Sequence, residues 1–155
     1  MRIALYQPDI PQNTAAILRT AACLGVTVDL IGPAGFDVSE RALRRAGLDY
    51  LQHVSLARHT SWQHFLADLD ATSHRLVLLT THATQPHHTF DFDDNDILLF
   101  GRESAGVPDD VHARADQRVR IPMRDGLRSL NLAVAVGMIA SHALTQTGGW
   151  SDSLV

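Results

Sequence analysis

The chain has 155 residues, 45% hydrophobic and 19% charged, with a single cysteine and a formal net charge of −4. That is the composition of one soluble globular domain long enough to bury a sizeable core, expected in a reducing, cytoplasmic setting. It excludes an intrachain disulfide and an overall basic footprint for nucleic acid, and its longest apolar run, 130–144, is too short for a membrane span.

Residues 2–6 read as a short buried strand, broken by Pro8 and Pro11. Asn13 or Thr14 can cap a helix running to about Leu24, where Gly25 stops it. The apolar stripe of that helix is Ile17, Ala21 and Leu24. Arg19 points the other way, with Ala15, Ala22 and Cys23 at helical spacing. An arginine among small residues fits a face that meets a ligand or a second subunit, and equally a plain surface position. Residues 27–31 are a second strand, ending at Gly32-Pro33. Ser39 caps a short helix to Ala46, stopped by Gly47. Its Arg41, Arg44 and Arg45 share one face, either solvated or, with further support, phosphate-binding. Residues 52–56 read as a strand. Thr60 or Ser61 then caps a helix that sends Trp62, Phe65, Leu66 and Leu69 to the core.

Residues 75–80 and 97–100 are continuous apolar runs, the pattern of parallel strands covered on both faces. Residues 117–121 alternate as a strand does. Pro122 cannot donate a strand hydrogen bond, and Asp125-Gly126 is a turn pair, so the chain bends there. Ser129 can cap the following helix, 130–144, which is apolar nearly all round and must be buried on most sides. Its small residues Ala133, Gly137, Ala140 and Ser141 permit close approach of another backbone, an arrangement easiest to achieve in a dimer. Residues from about 146 to 155 read as a loose tail in which Trp150 can pack. The alternation gives an α/β fold, a mainly parallel sheet flanked by helices, in one domain over 1–155. Ligands of open parallel sheets sit beyond the carboxyl ends of the strands. The loops after Leu79, Phe100 and Ile121 are therefore expected to meet in one small-molecule pocket.

Several chemistries lack their residues. Residues 101–106 hold two glycines but no G-x-G-x-x-G fingerprint, and there is no lysine for a phosphate loop, since all 13 basic residues are arginine. The nine histidines, His82, His87 and His88 among them, have no metal-ligand spacing, so no metal is expected. Cys23 lies mid-helix among small and apolar residues and reads as an inert thiol. Ser104 is not in a nucleophile elbow.

Three stretches in order carry a resemblance: 8–19 (PDIPQNTAAILR), 99–108 (LFGRESAGVP) and 121–133 (IPMRDGLRSLNLA). Together they resemble the SPOUT class of RNA methyltransferases. With 44–50 (RRAGLDY) the match is closer to its TrmL-type tRNA 2′-O-methyltransferases, over nearly the whole chain. The resemblance implies a SPOUT α/β knot, with a trefoil knot in the C-terminal part, a homodimer, and S-adenosyl-L-methionine as methyl donor. It implies cofactor contacts at Leu79, Gly101, Ile121, Ser129 and Leu130. The implied substrate is the ribose 2′-oxygen of the wobble nucleotide, C or modified U, in the anticodon stem-loop of leucine tRNAs. Arg19 matches the catalytic arginine; Asn13 and Asn131 would shape the site, and Glu103 would orient Arg19 or a partner residue. Arg128, Arg124, Arg41, Arg44 and Arg45 would meet RNA phosphate, since 155 residues are expected to leave no room for the additional RNA-binding domain of many relatives. Three positions depart from the family pattern: Ala15 for the usual Gly, Arg102 for the usual Pro, and Ser141 for a Tyr, with His142 beside it. The same motifs also fit 2′-O-methylation at another tRNA position or in ribosomal RNA, or a non-catalytic cofactor- and RNA-binding protein. The Arg19 motif favours an enzyme.

Overall fold

The computed structural model describes residues 1–45 and 51–150. Its strands are β1 (Arg2–Tyr6), β2 (Thr27–Ile31), β3 (Leu56–His59), β4 (Arg75–Leu79), β5 (Gln85–Pro86), β6 (Asp96–Phe100) and β7 (Gln117–Arg120). They form one sheet in the order β3-β2-β1-β6-β4-β7-β5, and every neighbouring pair is parallel. Helices α1 (Pro11–Leu24), α2 (Glu40–Arg45), α3 (Trp62–Asp70), α4 (Asp109–Arg114) and α5 (Leu132–Thr147) flank it.

The apolar runs bury both faces, as a parallel sheet requires. Ile3, Leu5, Val77, Leu98 and Phe100 point to one side, where α1 and α5 cover them with Ile17, Leu18, Val136 and Ile139. Ala4, Tyr6, Leu76, Leu78 and Leu99 point to the other, where α3 and α4 bring Trp62, Phe65, Leu69 and Val111. Each fully buried leucine or phenylalanine contributes roughly 1.5–3 kcal/mol of transfer free energy.

Charges inside the sheet are paired. Arg2 donates to both oxygens of the buried Asp29, at 2.7 and 2.6 Å. His59 Nε2 lies 2.8 Å from Asp29 Oδ1, and its Nδ1 lies 3.2 Å from Asp68 Oδ2 on α3. Arg75 grips the fully buried Asp96 with two bonds, of 2.6 and 2.9 Å. These pairs raise both guanidinium pKa values, chiefly through the carboxylate hydrogen bonds.

Several local expectations change. The first helix starts at Pro11 with Ile10 as its N-cap, so neither Asn13 nor Thr14 caps it. Proline's fixed φ and missing N–H suit that first position. The strand expected at 52–56 runs instead over Leu56–His59, after a 3-10 turn at Leu51–His53. Pairing with β2 sets that register, Val28 opposite Leu56 through Ile31 opposite His59. Ser61, rather than Thr60, caps α3. Asn131, rather than Ser129, caps α5. The last helix continues to Thr147, so residues 146 and 147, expected in a loose tail, are helical, and Trp150 donates to Thr145 Oγ1 at 3.1 Å. Ser39 caps α2 as expected. The expected stop at Ala46 and Gly47, residues 48–50 of the resemblance, and 151–155 lie outside the described residues. The two short elements β5 and α4 were not anticipated.

Segment 85–92 is tied to α5 by one side chain. Gln146 Oε1 accepts from Phe92 N–H at 2.9 Å, and its Nε2 donates to Phe90 C=O at 3.0 Å. The same amide nitrogen faces His142 Nε2 at 3.1 Å, so that ring nitrogen must accept. His87 stacks edge-on against His142. Burial, reinforced by His142, holds the His87 imidazole below its ordinary pKa of 6.5. A folded state that binds this proton less tightly than the unfolded chain loses stability as the pH falls below that value. The urea midpoint should therefore drop between about pH 7 and about pH 5.5, and His87→Asn should flatten that drop. Parallel urea titrations of the two proteins measure it.

Candidate active site

Because the strands are parallel, the loops after β4, β6 and β7 leave from one end of the sheet. They enclose a cleft of about 680 Å³, a volume suited to a small molecule. Leu78, Leu79, Phe100, Ile121 and Leu132 supply apolar walls. The expected residues Leu79, Gly101, Ile121, Ser129 and Leu130 all line it, as do Asn13, Glu103, Asn131 and Arg128. Arg19 does not; it lies on the exposed side of α1. Arg41, Arg44 and Arg45 form a separate exposed patch on α2, and Arg124 is exposed at the turn beyond the cleft.

A relay of side chains locks the cleft. Asn131 Oδ1 accepts from the N–H groups of Ala133 and Val134, at 2.9 and 3.3 Å, at the start of α5. Its oxygen is thereby assigned, so its Nδ2 faces Asn13 and donates to Asn13 Oδ1 at 3.0 Å. Asn13 must then present its own Nδ2 to Glu103 Oε1, at 3.1 Å. The other Glu103 oxygen accepts from Asp9 N–H at 2.9 Å. Asp9 completes the circuit by accepting from the Ser104 backbone at 3.1 Å and from the Ser104 hydroxyl. Glu103 thus holds residues 8–10 and the first turn of α1. Sequence reasoning missed Asp9 and Ser104, although both stand inside the quoted motifs.

Backbone constraints act on the same loops. Arg102 and Gly106 exchange two backbone bonds, each of 2.9 Å, which folds 101–106 into a tight loop. A Cβ on Gly101 would lie 2.6 Å from the Gly106 carbonyl carbon, so this position admits only glycine without moving the loop. Between β7 and α5, Leu127 N–H bonds to Arg124 C=O, with Gly126 at φ 84°, the geometry of a type II turn.

The cleft also presents Thr80, His82, Arg102 and His112. His82 and His112 stack edge-on, at 6.1 Å between ring centroids. His112 escaped notice because α4 did. The guanidinium of Arg102 sits over the Tyr6 ring, 5.9 Å from its centroid. Burial pushes the Tyr6 phenol up, and Arg102 opposes that shift. Among the described residues, no cluster of three or more ligating side chains is placed to hold a metal ion.

The chain matches the model of the SpoU rRNA Methylase family over residues 1–141. It belongs to that family. It is 58% identical to a tRNA (cytidine(34)-2′-O)-methyltransferase of Beijerinckia indica, over 94% of this chain and 91% of the relative. It is 39% identical to the protein of that name in Escherichia coli K12, over 96% and 94%. A solved structure described as "Structural insights into the 2-OH methylation of C/U34 on tRNA" superposes with a TM-score of 0.87, at 45% identity, covering 94% of each chain. The Streptomyces viridochromogenes SpoU methyltransferase AviRb, in complex with AdoMet, superposes with a TM-score of 0.85 at 28% identity, over 94% of this chain and 60% of that one. The α/β fold of this SpoU-family chain is the fold of these methyltransferases.

The relay makes a sharp demand on Glu103, since two N–H donors face two carboxylate oxygens. In Glu103→Gln one donor would meet an amide NH2 instead of an acceptor. The near-isosteric variant should lose about 1–3 kcal/mol of stability by urea unfolding. A loss near zero would mean that the relay does not bear on the fold.

Proposed function

We propose that this chain transfers a methyl group from S-adenosyl-L-methionine to the ribose 2′-oxygen of nucleotide 34, the wobble position, of tRNA. The observation that carries this reading is that three separated motifs meet in one cleft, in a chain so similar to curated C34 enzymes. The narrower substrate, leucine tRNAs with C or modified U at that position, follows from the resemblance through 44–50.

The residues present fit the donor. Leu79, Ile121 and Leu130 offer apolar surface for a purine, and the Gly101 and Ser129 loops offer main-chain polar groups for its edges. Gly101 lets backbone stand where a side chain would intrude. The donor's sulfonium supplies an already activated methyl group. The protein must then align the ribose hydroxyl and stabilise the charge that develops on its oxygen. Arg19 is suited to the second task. A guanidinium keeps its proton, so it acts as a fixed positive charge rather than as a base. Asn13 and Glu103 keep the loop that precedes Arg19 in place.

Arg19 lies outside the cleft of its own chain, which supports a homodimer in which one protomer's Arg19 serves its partner's cleft. Val134, Met138 and Leu130, exposed apolar residues on α5 and beside it, are suited to that interface. A monomeric mass by light scattering at micromolar concentration would contradict it. The C-terminal trefoil knot and a cytoplasmic location belong to the same proposal. The first is supported by the fold family; the second is in keeping with a tRNA substrate. No described helix is long and apolar enough to cross a membrane.

Incubation with labelled S-adenosyl-L-methionine and total tRNA, followed by nucleoside analysis, tests the reading. Labelled 2′-O-methylcytidine or a 2′-O-methyluridine derivative from position 34 is expected; label confined to a base would overturn it. Arg19→Ala should lower transfer by about 10²–10³-fold, with unchanged affinity for S-adenosylhomocysteine.

The exposed arginines Arg41, Arg44, Arg45, Arg124 and Arg128 are read as phosphate contacts. Affinity for an anticodon stem-loop should then fall steeply with salt. Replacing Arg41, Arg44 and Arg45 together by alanine should reduce the log–log slope by about 2. A filter-binding series from low to high salt measures it.

A further inference from the structure

Arginines in this protein divide by burial and by partner. Among the described residues, four are half-buried: Arg2, Arg75, Arg102 and Arg114. Three of them hold a carboxylate: Arg2 pairs with Asp29, Arg75 with Asp96, and Arg114 with Asp70, each with a contact of 2.6 Å. Arg102 is the exception. Its side chain makes no hydrogen bond or ion pair among the described residues, and its contact is the Tyr6 ring. A cation over an aromatic face is only weakly held, and the five N–H donors of the guanidinium remain unused.

Its position is also fixed. The backbone of Arg102 is locked to Gly106 on both its N–H and its C=O. Tyr6 braces the guanidinium from below, held edge-on against Trp62 at 5.8 Å. The side chain borders the cleft and is neither withdrawn into the core nor free in solvent. Among the described residues, the one acidic side chain that lines this cleft, Glu103, has both oxygens engaged, by Asp9 N–H and by Asn13 at the start of α1. A planar fork of donors, partly desolvated and braced beside a ligand cleft without its own anion, is the arrangement that receives an oxyanion from outside.

We propose that Arg102 binds a backbone phosphate of the tRNA next to the nucleotide whose ribose is methylated. This rests on the reading of the cleft as a tRNA methyl-transfer site, and it adds a substrate contact inside the cleft to those on the exposed surface. Bidentate geometry fits a phosphodiester, and half-exposure places the group where RNA entering from solvent can reach it. The contact would fix the register of the strand, so that one ribose, and not its neighbour, is presented.

The test uses the full-length chain with Arg102→Gln, which keeps a polar side chain of similar reach, and Arg102→Lys, which keeps the charge but not the fork. Binding of an anticodon stem-loop is measured directly by titration at several salt concentrations, and S-adenosylhomocysteine affinity by calorimetry. Arg102→Gln should bind the RNA about tenfold more weakly. Its log–log salt slope should be smaller by about 0.7–0.9, one phosphate's share, with cofactor affinity unchanged. Arg102→Lys should recover the slope but only part of the affinity. A side chain that merely packs on Tyr6 would not move the salt slope.

Unchanged RNA affinity and slope in Arg102→Gln, from a wild-type chain that does transfer methyl to tRNA, would overturn this proposal alone. Weakened S-adenosylhomocysteine binding with unchanged RNA binding would also overturn it, and would assign Arg102 to the carboxylate of the cofactor. A wild-type chain that neither transfers methyl to tRNA nor binds the stem-loop would overturn the functional reading, and this proposal with it.

Discussion

The cleft depends on one carboxylate. Glu103 accepts from the backbone of Asp9 and from the amide of Asn13, and through Asn13 it is tied to Asn131 and the first turn of α5. The polarity of this relay is forced at every link, because each amide has one end that can only donate and one that can only accept. Hydrogen bonds of this kind each contribute about 1 kcal/mol, and those to a charge somewhat more. Their effect here is larger than the sum suggests. They join residues 90 and 118 positions apart, so the segments around Asp9, Glu103 and Asn131 share a single arrangement. The cleft lies between these segments and the loop after β4.

The sheet beneath supplies the other half of the constraint. Parallel strands burying both faces leave no room for an unpaired charge, and the carboxylates inside, Asp29 and Asp96, are each gripped by an arginine. Those arginines serve the fold. Other arginines stand away from the buried carboxylates: Arg41, Arg44 and Arg45 on α2, Arg19 on the exposed side of α1, Arg124 and Arg128 between β7 and α5, and Arg102 at the rim of the cleft. A chain with a net charge of −4 can thus offer local positive surface to a polyanion without being basic as a whole.

This division suits a transfer reaction whose donor is already activated. Little covalent chemistry is asked of the protein, so positioning dominates. Rigid backbone does that work at the cleft, with Gly101 pressed against Gly106 and Gly126 turning the chain back toward α5. In the proposed function, long, charged side chains would do it toward the RNA. Arg19, proposed to serve the reaction, lies on a helix whose entry is held by Glu103, exposed and outside the cleft of its own chain.

The apolar runs at 75–80 and 97–100 are best satisfied by a sheet covered on both sides, so the parallel α/β architecture was legible from residue order alone. From it followed the end of the sheet where the loops meet, and Leu79, Gly101, Ile121, Ser129 and Leu130 do line one cleft there. Helix ends were less legible. Ser129 and Asn131 are both good caps, as are Asn13 and Thr14. The choice fell to long-range bonds, which place Asn131 at the α5 terminus and use Asn13 to connect it to Glu103. The third strand lies at Leu56–His59 because β2 dictates its register, a fact about a neighbour in space. Short elements such as β5 and α4 carry too few residues for a period to show. Local spacing therefore determined the alternation of strands and helices and the parallel sheet they flank, through burial that each segment must achieve by itself, while the order of strands in the sheet came only from the fold. Which polar side chains meet, and which arginine is left without an anion, was decided only when segments distant in sequence came within hydrogen-bonding reach.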